Sequence, residues 1–256
     1  MPSTTAVKKR GPLWAAVFWI LVWEAAARWV AEPIFLVSPL TAAARLFELM
    51  GSGAFWQAVA FTVGRIFAGF LAGCLLGVGL AALSYRFHWV RQLLSPLTAA
   101  IKAIPVASFV ILALLWVSSQ NLSILISALI GFPLIYANTL AGLDATDPKL
   151  IEMAKVFRVP FVRQLGSIYL FEVLPFLQSG MATAIGLCWK SGVAAEVIGI
   201  PDGSLGERLY QAKIYLETAD LFAWTLTIVL LSIACEKLLN RLMGWLVKGV
   251  SRCWKQ

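Results

Sequence analysis

Asp147-Pro148-Lys149-Leu150-Ile151-Glu152-Met153-Ala154-Lys155-Val156-Phe157-Arg158-Val159-Pro160 is a charged, helix-forming stretch in a chain that is otherwise mostly apolar. Pro148 suits a first helical position, with Asp147 before it as the cap. Leu150, Met153, Ala154 and Phe157 then share one face, and Glu152, Lys155 and Arg158 lie toward the other. Pro160 breaks the run. Phe161, Leu165 and Ile168 fit the apolar side of a second short helix with Arg163 on its polar side, and Leu174-Pro175 opens the next apolar stretch. Two short helices joined at Val159-Pro160 make a knob that can dock in a groove on a soluble partner. Their chemistry is recognition, not bond-making.

A different chemistry is offered by charges inside apolar stretches. Lys102 precedes Pro105 by about one turn, and Lys190 and Glu196 lie six residues apart in a later stretch. Each such charge costs about 2.5–3.5 kcal/mol at the centre of a spanning helix, so each must face protein or water. Six residues put Lys190 and Glu196 about 120° apart on a helix, so they need different partners. Lys102, Pro105, Lys190 and Glu196 are candidates for a solute path: the lysines can attract an anion, or pair with acids on other helices. Glu196 would repel an anion, which favours a structural or gating role. His88 is the single histidine. With no histidine pair, no Gly-x-Ser-x-Gly-like nucleophile and no CxxC spacing among Cys74, Cys188, Cys235 and Cys253, neither a catalytic triad nor a metal site is expected.

The elements that must carry these residues are membrane spans. The 256-residue chain is 60% hydrophobic and 13% charged, with a mean hydropathy of +0.83. A soluble domain carries about 25% charged residues. Six stretches reach the roughly 20 residues a span needs: about 13–31, 57–84, 93–117, 122–143, 173–200 and 221–247. The first is read as a retained span, because it is too long for a signal-peptide core. The formal charge of +8 is a topology signal. With the N-terminus inside, Lys8, Lys9, Arg10, Arg86, Arg91, Lys149, Lys155, Arg158, Arg163, Arg241, Lys248, Arg252 and Lys255 fall on the inner side. Arg45, Arg208 and Lys213 fall outside, against Glu32, Glu48, Asp202, Glu207, Glu217 and Asp220. This positive-inside pattern predicts an N-in, C-in chain and no nucleic-acid partner. Gly69, Gly73 and Gly77 form a small-residue stripe for close packing, more plausibly within one bundle than between subunits. Pro105 is expected to kink the third span, and Gly131, Pro133 and Asn138 mark the fourth for either an internal break that lines a pathway or a simple packing kink. Residues 1–11 are read as a basic tail and 12–256 as one transmembrane domain.

Glu152-Met153-Ala154, Arg158, Ile168 and Leu170 resemble the EAA loop of ATP-binding-cassette (ABC) importer permeases: Glu-Ala-Ala, three residues, Gly, nine residues, Ile-x-Leu-Pro. Met153 stands for the middle Ala, Arg158 for Gly and Phe171 for Pro. These departures fit the nitrate, sulfonate, taurine and bicarbonate type. Residues 104–157, and Trp189 to Gly206 with Glu196 and Ser204-Leu205-Gly206, extend the resemblance, which covers about 60–245. It implies an all-α integral membrane protein with the type I importer permease fold, in a bacterial cytoplasmic membrane. The coupling loop, about 147–172, would place Glu152, Met153, Ala154, Phe157, Arg158, Pro160 and Phe161 against an ATPase. The implied assembly has two ATPase copies, a second permease copy and an extracytoplasmic binding protein. ATP and Mg would sit on the ATPase, since this chain has no Gly-x-x-x-x-Gly-Lys-Ser/Thr loop. The implied cargo is a small organic or inorganic anion. The alternative is a membrane subunit of an energy-coupling vitamin transporter, whose Ala-Arg-Gly-type motif the chain lacks. An intramembrane enzyme or a passive channel leaves the loop around Glu152 without a task.

Overall fold

A computed structural model describes residues 13–32 and 34–253, apart from the side chains of Leu13, Phe161, Leu246 and 248–253. The tail at 1–11 and the Phe161 side chain therefore lie outside the described residues. Every described element is helical: α1 (Leu13–Val30), α2 (Pro39–Met50), α3 (Gly53–Arg86), α4 (His88–Ala103), α5 (Val106–Ala113), α6 (Ser119–Asp144), α7 (Pro148–Val156), α8 (Phe161–Gln164), α9 (Leu170–Gly199), α10 (Leu205–Ile214) and α11 (Thr218–Cys253). Among the described residues, four helices are long and apolar enough to cross a membrane, and five if the bent pair α4–α5 counts as one. The stretch expected as the first span forms α1, whose 18 residues reach about 27 Å, the short end of the spanning range.

The core is a three-helix unit with α6 in the middle. Gly69, Gly73 and Gly77 of α3 face α6 so closely that a Cβ on Gly69 would fall 2.3 Å from the Ile124 carbonyl oxygen and one on Gly73 2.8 Å from that of Ala128. On its other side α6 meets α9 through a reciprocal pair. Ser127 Oγ donates to the Cys188 carbonyl at 3.3 Å, and Cys188 Sγ donates to the Ser127 carbonyl at 3.1 Å. Tyr136 donates to Ser84 at 3.0 Å and ties α6 back to the end of α3.

Connections sort the ends of this unit. At one end α2, the starts of α3 and α11, and α10 share a cluster built on Leu46, Phe55, Leu205 and Trp224. Arg45 pins α2 to α11 through Asp220 at 2.5 Å and also bonds Glu48 at 2.8 Å. The hydrogen bond to Asp220, then that to Glu48, raises the guanidinium pKa above its ordinary value. At the opposite end sit the start of α4, the close of α6, and α7. There Arg91 clasps Asp144 with two bonds of 2.9 and 3.2 Å.

Three prolines depart from expectation. Pro105 does more than kink a span: α4 and α5 bend by 103° around it. Val110 and Ala113 of α5 then pack on Leu122, Ile126 and Ala195 near the far end of α6 and α9. Ile104 and Pro105 have extended ψ values of 129° and 131°, so the helix cannot pass through. Pro133 does not break the fourth span; α6 runs through it unbroken, and its ring is fully buried. Pro175 does not open the fifth span either. The helix begins near Val162 and runs to Gly199, and a π turn at Leu165–Tyr169 joins α8 to α9. There the Leu170 N–H reaches back to the Leu165 carbonyl, an extra residue per turn that joins the two segments. The second helix of the expected knob is thus the root of the span.

The glycine stripe gives a stability test. Nothing lies within 4 Å of a Cβ placed on Gly79, on the opposite side of α3. Gly69→Ala should lower the thermal midpoint of the purified protein, at a cost of about 1–3 kcal/mol. Gly79→Ala should be neutral or stabilising by up to about 1 kcal/mol, from helix propensity alone. Equal midpoints would remove the packing role of the stripe.

Candidate functional site

The segment 147–171 is built from its caps. Asp147 accepts the Lys149 N–H at 2.9 Å and starts α7, with Pro148 at the position that needs no donor. The helix closes in a Schellman motif: Val159 N–H bonds the Ala154 carbonyl at 2.9 Å and Arg158 N–H that of Lys155 at 3.1 Å. This motif requires a left-handed residue after the helix, and Arg158 takes it at φ 50°. That is the position where the family pattern carries glycine, so the pattern has a backbone cause. Gln164 Nε2 then donates to the Val159 carbonyl at 2.7 Å and holds the turn against α8.

The expected apolar face of α7 divides. Ala154 is buried. Met153 and Phe157 stay 50% and 74% exposed, and so does Val156 at 78%, which the sequence reading left off that face. A groove of about 560 Å³ runs beneath, between α7 and the π turn, lined by Leu150, Met153, Ala154, Phe157, Val159, Ser167, Ile168 and Phe171. Glu152, Lys155 and Pro160 are exposed. Met153, Val156 and Phe157 therefore leave a bulky apolar surface uncovered beside the charges of α7.

The charges expected within spans separate. Lys190 is exposed on a stripe of α9 with Phe176, Ser179, Thr183 and Leu187, and no ion pair to it forms among the described residues. Lys102 is exposed in the last turn of α4, beside the α4–α5 break and Pro105, where a cation also favours the helix C-terminus. Glu196 is fully buried. Its Oε2 accepts from Thr62 Oγ1 at 2.7 Å. The sequence reading missed Thr62, because a single threonine in a long apolar run carries no periodic signal. Arg65 does not stay alone: it donates to Asn121 Oδ1 at 2.8 Å and to the Gln120 carbonyl.

A family model described as "Binding-protein-dependent transport system inner membrane component" matches residues 69–252. The chain belongs to that family. It is therefore a permease of the ABC importer type and a multi-pass inner-membrane protein, in keeping with its apolar helices. Relatives agree. A Bacillus subtilis (strain 168) protein that carries the name of an aliphatic sulfonates transport permease is 28% identical over 84% of this chain and 78% of its own. The riboflavin transport system permease protein RibX of Chloroflexus aurantiacus is 29% identical over 87% of this chain and 86% of its own. The taurine transport system permease protein TauC of Escherichia coli is 25% identical over 90% of this chain and 87% of its own.

In this permease, the strain at Arg158 can be measured. A non-glycine residue in the left-handed region costs about 1–2 kcal/mol. Arg158→Gly should relieve part of that cost and slow limited proteolysis between α7 and α8. Faster cleavage would mean that the Arg158 side chain stabilises the turn more than the strain costs.

Proposed function

We propose that this chain is the permease half of an importer in which α7 couples ATPase closure to alternating access. The observation that carries the reading is α7 itself: exposed Met153, Val156 and Phe157, a groove behind them, and a position at the basic end of the bundle. Arg86, Arg91, Lys149, Lys155, Arg158 and Arg163 cluster at this end, and the acids Glu48, Asp202, Glu207, Glu217 and Asp220 at the other. The positive-inside rule then puts α7 in the cytoplasm. With α1 and the bent α4–α5 pair each crossing once, the chain has six spans and both termini inside. It forms one transmembrane domain over 12–256.

On this reading two permease copies stand on two ATPase copies, which bind ATP and Mg. Glu152, Met153, Ala154, Phe157, Arg158, Pro160 and Phe161 meet the ATPase cleft by the helix-in-groove mode. The bare flanks of α4 and α5, with Leu93, Leu97, Ile111 and Leu112 exposed, and the Lys190 stripe of α9 are surfaces for the second copy and the path. Lys190 cannot face lipid at its depth without a large cost. Water or protein must cover it, and a solute anion is its natural counterion. The cargo is therefore a small organic or inorganic anion of the sulfonate, taurine, nitrate or bicarbonate kind, delivered by an extracytoplasmic binding protein. The riboflavin relative favours one second reading, a vitamin-type heterocycle, for which Lys190 would matter less.

Two measurements test this. Phe157→Asp and Glu152→Arg should abolish binding-protein-dependent uptake and co-purification of the ATPase while the permease still inserts. Retained uptake in both would reject α7 as the coupling element. Lys190→Gln should cut uptake of an anionic solute by about tenfold, equal to 1.4 kcal/mol. Unchanged anion uptake would remove Lys190 from the path.

A further inference from the structure

The first turn of α10 is capped by other helices. A helix start leaves N–H groups without partners. Here the Leu205 N–H donates to Thr62 Oγ1 at 3.0 Å, from α3. The Gly206 N–H donates to Glu196 Oε2 at 3.4 Å, from α9. The Glu207 N–H donates to the local cap Ser204 at 2.9 Å. Thr62 Oγ1 closes the triangle by donating to the same carboxylate oxygen. A carboxylate is also the right charge for the positive end of a helix dipole. Thr62, Glu196, Ser204, Leu205 and Gly206 are all buried. The approach depends on Gly206, where a Cβ would fall 2.4 Å from Glu196 Cβ and 2.5 Å from its carbonyl carbon.

The triangle is incomplete on one side. Glu196 Oε1 has no hydrogen-bond partner, and neither does the buried Ser123 Oγ of α6, although the Ser123 side chain faces this carboxylate. Buried polar groups are almost always paired. The two face each other across the seam, so one carboxylate oxygen can take the Ser123 hydroxyl while the other keeps Gly206.

We propose that Glu196 is a positioning residue that carries the docking of the binding protein at α10 into the path helix α9. Glu196 sits about one and a half turns beyond Lys190 on α9. α10 hangs on the triangle at its start. Its far end, with Ile214, Tyr215 and Leu216 exposed, is open to contact. Movement of α10 pulls on the carboxylate through Gly206 and Thr62, and Glu196 carries α9 with it. The proposal rests on the assignment of the α10 end to the extracytoplasmic side.

The test uses the full transporter in proteoliposomes, with its ATPase and solute-loaded binding protein. In Glu196→Gln and Thr62→Val, assembly and basal ATP hydrolysis should stay within about twofold of wild type. Stimulation of hydrolysis by the loaded binding protein should fall by about tenfold or more, within the usual range of coupling between sites. Stimulation kept at the wild-type level in both variants would overturn the proposal. So would a parallel loss of basal hydrolysis and stimulation, which marks a purely structural role. Should Glu196→Gln fail to insert, Thr62→Val carries the comparison, since it removes one hydroxyl at nearly constant volume. A wild-type complex without stimulation would instead reject the assignment of the α10 end, and this proposal with it.

Discussion

The backbone approach of α3 to α6 is the contact on which the rest of the molecule depends. Apolar surface drives little association between helices already in lipid, because the lipid tails are as apolar as leucine. Helices there adhere by packing and by hydrogen bonds across the seam. Gly69, Gly73 and Gly77 let α6 come within van der Waals reach of the α3 backbone. The Ser127–Cys188 exchange and the Trp189 indole, donating at 3.0 Å to the Ile228 carbonyl of α11, extend the grip to α9 and beyond. A side chain on any of the three glycines would separate α3 from α6 and loosen every contact that hangs on them.

Both ends of this unit gain their meaning from it. α7 follows the close of α6 after a three-residue turn, so its pose is set by α6 and by the Arg91–Asp144 clasp beside it. α10 follows the close of α9 and is held by Thr62 and Glu196, residues of the same packed helices. A push on α7 at one end and a pull on α10 at the other therefore act on one body. The bent α4–α5 pair is different. It buries one narrow edge, with Val90, Leu94 and Thr98, and leaves its other flanks bare.

Much of this was legible beforehand. Composition and charge asymmetry identify a membrane bundle with one basic end. The stripe of glycines announces close packing, and Asp147-Pro148 announces the start of α7. Those signals are local: a cap, a period, or a sum over a window. Prolines were read less well because their effect depends on surroundings. Pro105 stands where the preceding Ile104 is extended, and the helix turns by 103°. Pro133 is clamped between neighbours and the helix runs on. Pro175 lies just beyond a π turn inside a continuous span. Arg158 shows the reverse case, a departure in sequence that the fold absorbs by holding arginine in a backbone state suited to glycine.

By itself the sequence determined that the chain is helical, crosses a membrane, and carries a short amphipathic helix at 148–156, since each follows from hydropathy and spacing along the chain. Tertiary structure alone decided that Thr62, Glu196 and Gly206 meet, the first two lying 134 positions apart in sequence. It also decided that the helix after Pro160 is the root of a span, and that Lys190 is exposed while Glu196 is sealed. Such facts depend on which faces of distant helices come together, and no local period encodes that meeting.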